Sequence, residues 1–253
     1  MEETKVSKTR IRLWAVLFWL FFWQIISVAV SKSLILPSPI EVINKLFAMA
    51  LTLDFWSSVG FSSVRIFLGF FFGSLLAIIV AVFSSRKKVI QELVEPLVSV
   101  MKSVPVASFV ILALFWLDIK GLTVFIVFLM VFPVCYRNVY SGIMSVNNEI
   151  LEMAYCYEIR GIRKIKGIYI PYILPYFRTA MSLSLGLCWK SGVAAEVIGI
   201  PKGSIGEKLY TAKIYFLTPE LFAITLTIIF LSYIFEKLIL FTVDSMLKRT
   251  GVL

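Results

Sequence analysis

The sequence predicts an all-α integral membrane protein with six transmembrane helices, and three observations carry that expectation. The 253 residues are 60% hydrophobic and 16% charged, with a mean hydropathy of +0.93, too little polar surface for a soluble domain. The apolar residues fall in long continuous runs rather than in alternating ten-residue segments, which selects helices over a barrel. The basic residues outside those runs gather mainly on one side of the bilayer when the chain is threaded through it.

A spanning helix needs roughly 20 predominantly apolar residues. Runs of that kind lie at about Leu13–Val30, Val64–Phe83, Leu97–Leu117, Leu122–Tyr140, Phe177–Ile198 and Leu221–Val243. The first lacks a small-residue cleavage site, so it is read as a span and not as a removed signal peptide. The third is interrupted by Pro105, and the fifth follows Pro171 and Pro175. Between the first two, Ser38-Pro39 precedes apolar residues at helical spacing (Ile40, Val42, Ile43, Leu46, Phe47), the start signal of a short interfacial helix. After the fifth, Gly199–Tyr215 reads as a loop carrying a short surface helix.

With a cytoplasmic N-terminus, about 16 Lys and Arg fall inside and about 6 outside. The inner set is Lys5, Lys8, Arg10, Arg12, Arg86, Lys87, Lys88, Arg137, Arg160, Arg163, Lys164, Lys166, Arg178, Lys237, Lys248 and Arg249. Both termini are therefore expected inside, in a multi-pass protein of the cell membrane. The net charge of +10 is absorbed by these loops, and no nucleic-acid partner is expected. There is no histidine, which removes the commonest general base and metal ligand. Cys135, Cys156 and Cys188 show neither metal nor disulfide spacing.

The segment Glu152–Tyr176, "EMAYCYEIRGIRKIKGIYIPYILPY", is polar and punctuated. Asn147 and Asn148 are suitable caps for a helix over about 148–161, with Glu149 and Glu152 in its first turn. Ile150, Ala154, Tyr157 and Gly161 place apolar or small residues on one face, and Gly161 reads as its C-cap. Pro171 and Pro175 lack amide donors and are expected to separate this helix mechanically from the fifth span. A helix lying on anionic lipid equally accounts for the pattern.

Glu152, Ala154, Ile168, Ile170 and Pro171 fall at the positions of the "EAA" loop in permeases of binding-protein-dependent ABC importers. Met153 takes the first Ala place, and Glu158 stands where that pattern has glycine, with Gly161 three residues later. Further matches follow in order: "LPSP" (Leu36–Pro39), "SSVRIFLGFFFG" (Ser62–Gly73), "KSVPVASFVILALFW" (Lys102–Trp116), "LCWKSGVAAEVIG" (Leu187–Gly199) and "KGSIGEKLYTAKIY" (Lys202–Tyr215). Together they resemble the nitrate/sulfonate/taurine branch of these permeases across nearly the whole chain.

The resemblance implies a MetI-like permease core at 59–243, preceded by a segment (1–58) with the first span and the outer helix, and followed by a cytoplasmic tail (244–253). It implies a second permease copy as a homodimer, or a close relative in that place. It also implies two cytoplasmic ABC ATPase subunits and an extracytoplasmic substrate-binding protein. Glu152, Ala154, Tyr157, Glu158, Gly161 and Pro171 would then couple to the ATPase. No G-x-x-x-x-G-K-[ST] loop occurs in the sequence, so this chain is expected to be non-catalytic and to bind no cofactor, with ATP and magnesium on the ATPase.

Charged residues inside spans are functional candidates. Lys102 lies near mid-depth of the third span, and Lys190 lies beside Trp189 in the fifth, with Glu196 nearer its outer end. Lys102, Trp189, Lys190 and Glu196 are candidate pathway residues, the lysines favouring an anionic solute such as nitrate, a sulfonate or taurine. Pairing of each lysine with Glu196, Asp118 or a backbone carbonyl is the structural alternative, and Arg65 and Glu196 equally suit snorkelling to the headgroups. G-x-x-x-G at Gly69–Gly73 is read as packing against a neighbouring span. Two other classes remain: a membrane enzyme, which lacks paired carboxylates or a nucleophile elbow here, and a stand-alone channel or secondary transporter, which leaves the polar segment unexplained. Relatives of this branch also carry vitamin precursors and other small organics, so the solute stays open at this point.

Overall fold

The computed structural model describes residues 13–30 and 35–249. The basic N-terminal residues Lys5, Lys8, Arg10 and Arg12, the residue Lys32 and the last residues of the tail lie outside them. The described residues are helical, without strands. Helix α1 (Leu13–Val30) is apolar all round and only Ser27 on it is buried. It is tied down by Trp23, which donates to the Pro37 carbonyl (3.1 Å), and by Ser27, which donates to that of Leu36 (3.0 Å). Helix α2 (Pro39–Ala50) starts as the sequence predicts. The Glu41 amide donates to Ser38 Oγ (3.2 Å) and the Ser38 amide to Glu41 Oε2 (2.9 Å), a capping box with proline in the first turn.

The core is built from α3 (Leu53–Arg86), α6 (Ile119–Met144) and α9 (Ile170–Gly199). Helix α3 begins well before the expected span at Val64: its first turns bury Phe55, Ser58, Val59 and Ser62, and serines thin the apolar run there. Gly69 and Gly73 let α3 lie against α6: a Cβ on Gly69 would sit 2.6 Å from the Val124 carbonyl oxygen, and one on Gly73 would sit 3.1 Å from that of Phe128. The G-x-x-x-G motif is thus an internal packing device. Helix α9 runs antiparallel to α6, with Gly142 against Ile173 and Tyr176 at one end and Gly199 against Leu122 at the other. At 30 residues α9 is about 45 Å long, ample for a crossing, although Arg178, Lys190 and Glu196 dilute its apolar character. Among the described residues, four helices, α1, α3, α6 and α11 (Thr218–Arg249), are long and apolar enough to span on their own.

The third expected span, Leu97–Leu117, is not one rod. Helices α4 (Lys88–Ser103) and α5 (Val106–Ala113) are bent by 104° at Val104-Pro105. The residue before a proline is pushed out of the helical region, and Val104 has φ −79° and ψ 130°. Helix α5 then packs Val110 and Ala113 against Leu122, Ile126 and Ala195. At one end of the bundle, α7 (Asn148–Cys156) and α8 (Gly161–Lys164) lead through a π turn (Ile165–Tyr169) into α9. At the other end, α10 (Ile205–Ile214) packs against α9 and α11. Lys45 pairs with Glu220 at 3.0 Å there, and Lys208 with Asp54.

Candidate functional site

Helix α7 is capped by Asn147, whose side chain accepts from the Glu149 amide at 3.2 Å. Its base is a small apolar cluster: Ala154 is fully buried, with Val146 and Ile168, and Ile150, Leu151, Ile159, Tyr169 and Tyr172 pack around them. The helix ends at Cys156, not at Gly161 as the periodicity predicts. The Ile159 amide donates to the Ala154 carbonyl (2.8 Å) and the Glu158 amide to that of Tyr155 (3.1 Å). That pair of bonds is a Schellman closure, and it sets Glu158 in the left-handed region at φ 52°. The position where the family pattern has glycine is thus the position that needs glycine's conformation. Gly161, at φ 58°, opens α8 instead of closing α7.

Of the candidate coupling residues, Ala154 is core, Pro171 is half-buried, and Glu152, Tyr157, Glu158 and Gly161 are exposed. Met153, Tyr155 and Cys156 join them on the outward side of α7, with Tyr155 and Tyr157 more than three-quarters exposed. The prolines do not break the chain. The Ile170 amide bonds back to the Ile165 carbonyl, a π-type step, and Pro171 falls in the first turn of α9, where its missing donor costs little. The discontinuity between α7 and the rest lies at 157–160. Behind α7, a cavity of about 370 Å³ opens between Arg86 of α3, Met144 of α6, Leu151 of α7 and Tyr169.

The four pathway candidates do not meet in one place. Trp189 is buried in the core, edge-on to Phe235. Lys190 is exposed on the rim of a groove between α9 and α11 that Glu236, Tyr233 and Thr225 also line. Glu236 accepts from Ser182 at 3.1 Å, and Arg178 pairs with Asp244 further along the same two helices. Glu196 is wholly buried, so it does not snorkel. Its Oε2 accepts from Ser62 Oγ (2.6 Å) and from the Gly206 amide (3.2 Å), while Ser62 Oγ accepts from the Ile205 amide (2.9 Å). One carboxylate therefore holds the start of α10 against α3 and α9, helped by the positive end of the helix dipole. Arg65 lies over the Phe61 ring at 3.7 Å, within electrostatic reach of Glu196. Neither Asp118 nor Glu196 pairs with Lys102 or Lys190 among the described residues. Sequence reasoning passed over Glu95 and Ser62. Glu95 had a signal, since it stands two turns before Lys102 on α4, whereas Ser62, 134 residues from Glu196, had none.

A polar helix, α7, thus stands outside a bundle of long apolar helices. A family model described as "Binding-protein-dependent transport system inner membrane component" matches residues 69–250. The chain belongs to that family. It is similar to a probable ABC transporter permease protein of Brucella melitensis, 25% identical over 83% of this chain and 85% of the relative. It is also similar to the putative aliphatic sulfonates transport permease of Bacillus subtilis, 25% identical over 79% of this chain and 73% of the relative. The taurine transport system permease of Escherichia coli is 24% identical over 75% and 74% respectively. This permease is thus a multi-pass, non-catalytic subunit that works with an ATPase and a substrate-binding protein.

Proposed function

We propose that this permease imports a small anionic solute of the sulfonate or taurine kind, and that α7 is its coupling helix, docked on a separate cytoplasmic ATPase. The exposed edge of α7 carries the coupling part. Glu152, Met153, Tyr155, Cys156 and Tyr157 stand free on a helix whose other face is anchored by Ala154 and closed at Glu158. Such a helix is a rigid grip joined to α9 by a short turn, so displacement of α7 reaches the fifth span through the α8 and π-turn path. Both termini and α7 are assigned to the cytoplasmic side on the distribution of Lys and Arg.

The named sulfonate and taurine relatives support the solute class, and so do the exposed lysines Lys102 and Lys190 at membrane depth. A homodimer of this chain with two ATPase subunits, which hold ATP and magnesium, completes the assembly. Reconstitution of the permease with its ATPase and binding protein in vesicles tests the reading. ATP-dependent accumulation of taurine or an alkanesulfonate is expected, and Lys190→Ala is expected to depress it without loss of assembly. Uptake that proceeds without the ATPase overturns the proposal.

A further inference from the structure

Helix α4 has three sides. Val98 is fully buried, and Val94 and Met101 pack with it on the core. Leu93, Leu97 and Val100 form an exposed apolar side. Between these, Glu95, Ser99 and Lys102 recur at four and three residues and make one polar stripe. Opposite the stripe, α6 presents Arg137, whose Nη2 donates to Glu95 while its Nε is buried without a partner. Lys102 makes no ion pair among the described residues and interacts electrostatically with both Arg137 and Glu95. The group carries two positive charges and one negative.

Glu95 and Arg137 each stand two turns from the α7 end of their helices, about 10 Å in, and Lys102 lies about 10 Å further, at the bend before Pro105. Arg137, Glu95 and Lys102 are all substantially exposed on the surface of a single chain. Hydrocarbon does not accept such a row of charges, so this side of α4 faces water or protein.

We propose that the Glu95–Ser99–Lys102 stripe, with Arg137, is the wall of a water-filled passage in which Lys102 selects for a small anion. Glu95 occupies Arg137 and leaves a single uncompensated positive charge beside the passage, which attracts an anion. The proposal rests on the anionic-solute reading above and adds the place where selection occurs.

Its test is Ser103→Cys in the full transporter complex, with the labelling of the native chain, whose exposed cysteine is Cys156, subtracted. Ser103 is exposed beside Lys102, and the remaining cysteines Cys135 and Cys188 are buried. The modification rate is measured with two methanethiosulfonates, one bearing a sulfonate and one a trimethylammonium, each normalised to a free thiol. One net charge at about 6 Å in water changes each rate about threefold in opposite senses, so the anionic reagent is favoured by about tenfold. Lys102→Gln is expected to return that ratio to near one, and Glu95→Gln to raise it. A thiol unreactive to both reagents, or a ratio that Lys102→Gln leaves unchanged, overturns the proposal. Uptake of an alkanesulfonate by the same complex separates the two claims. The expected ratio without uptake removes the solute class and keeps the wall, and uptake with a ratio of one does the reverse.

Discussion

Glu158→Gly is expected to stabilise the end of α7. Glu158 sits at φ 52°, where an L-residue costs roughly 1–2 kcal/mol, and the two hydrogen bonds that close the helix force it there. Glycine escapes that cost, while its extra freedom in the unfolded chain returns about 0.4–1 kcal/mol. The net gain is about 0.5–1 kcal/mol. The Glu158–Arg160 contact, at 4.0 Å between strongly exposed side chains, contributes nothing measurable. Glu158→Ala is the proper reference, since it removes the carboxylate and keeps the strained backbone. Hydrogen exchange of the amides at 158 and 159 reads the closure directly. Protection in the glycine variant is expected to exceed that in the alanine variant by about two- to fivefold. Equal or faster exchange in the glycine variant would refute the strain argument.

Other outcomes follow from the same contacts. Gly69→Leu drives a side chain into the Val124 carbonyl and Val127, so the detergent melting temperature should fall by an amount matching at least about 1–3 kcal/mol. Gly60→Ala, with nothing within 4 Å, should raise it slightly, by about 0.5–1 kcal/mol. Glu196→Ala strands the buried Gly206 amide at a cost of about 1–3 kcal/mol, seen as faster exchange at the start of α10 with α7 unaffected. Met153→Ala with Tyr155→Ala should abolish co-purification of the ATPase while leaving the permease's melting temperature within about 1 °C, because both side chains are exposed.

Short-range signals were legible in the sequence. Ser38-Pro39 and Asn147 cap α2 and α7 where their chemistry says they should, and the G-x-x-x-G of α3 packs inside the protein. Signals that depend on the rest of the fold were not. The closure of α7 falls on a glutamate, so no residue type marks it, and the next glycine, Gly161, mimics the missing signal. Pro171 and Pro175 read as a break because a π turn, which shifts the bonding by one residue, leaves no compositional trace. Pro105 announced an interruption, but its 104° size comes from α5 seeking Leu122 and Ala195. Glu196 was visible as a charge at depth. Its partners Ser62 and Gly206 lie 134 and 10 residues from it, and only packing brings the three together.

Cys156 offers the most direct test of the central claim. It is the exposed cysteine of the three and sits on the outward side of α7, so a photoreactive maleimide can be placed there in the native chain. Irradiation of the assembled transporter is expected to join the permease to its ATPase from the cytoplasmic side, with a yield that changes when ATP binds. A probe at Cys156 that captures no ATPase, or that is reached only from the opposite side of the membrane, would contradict the account.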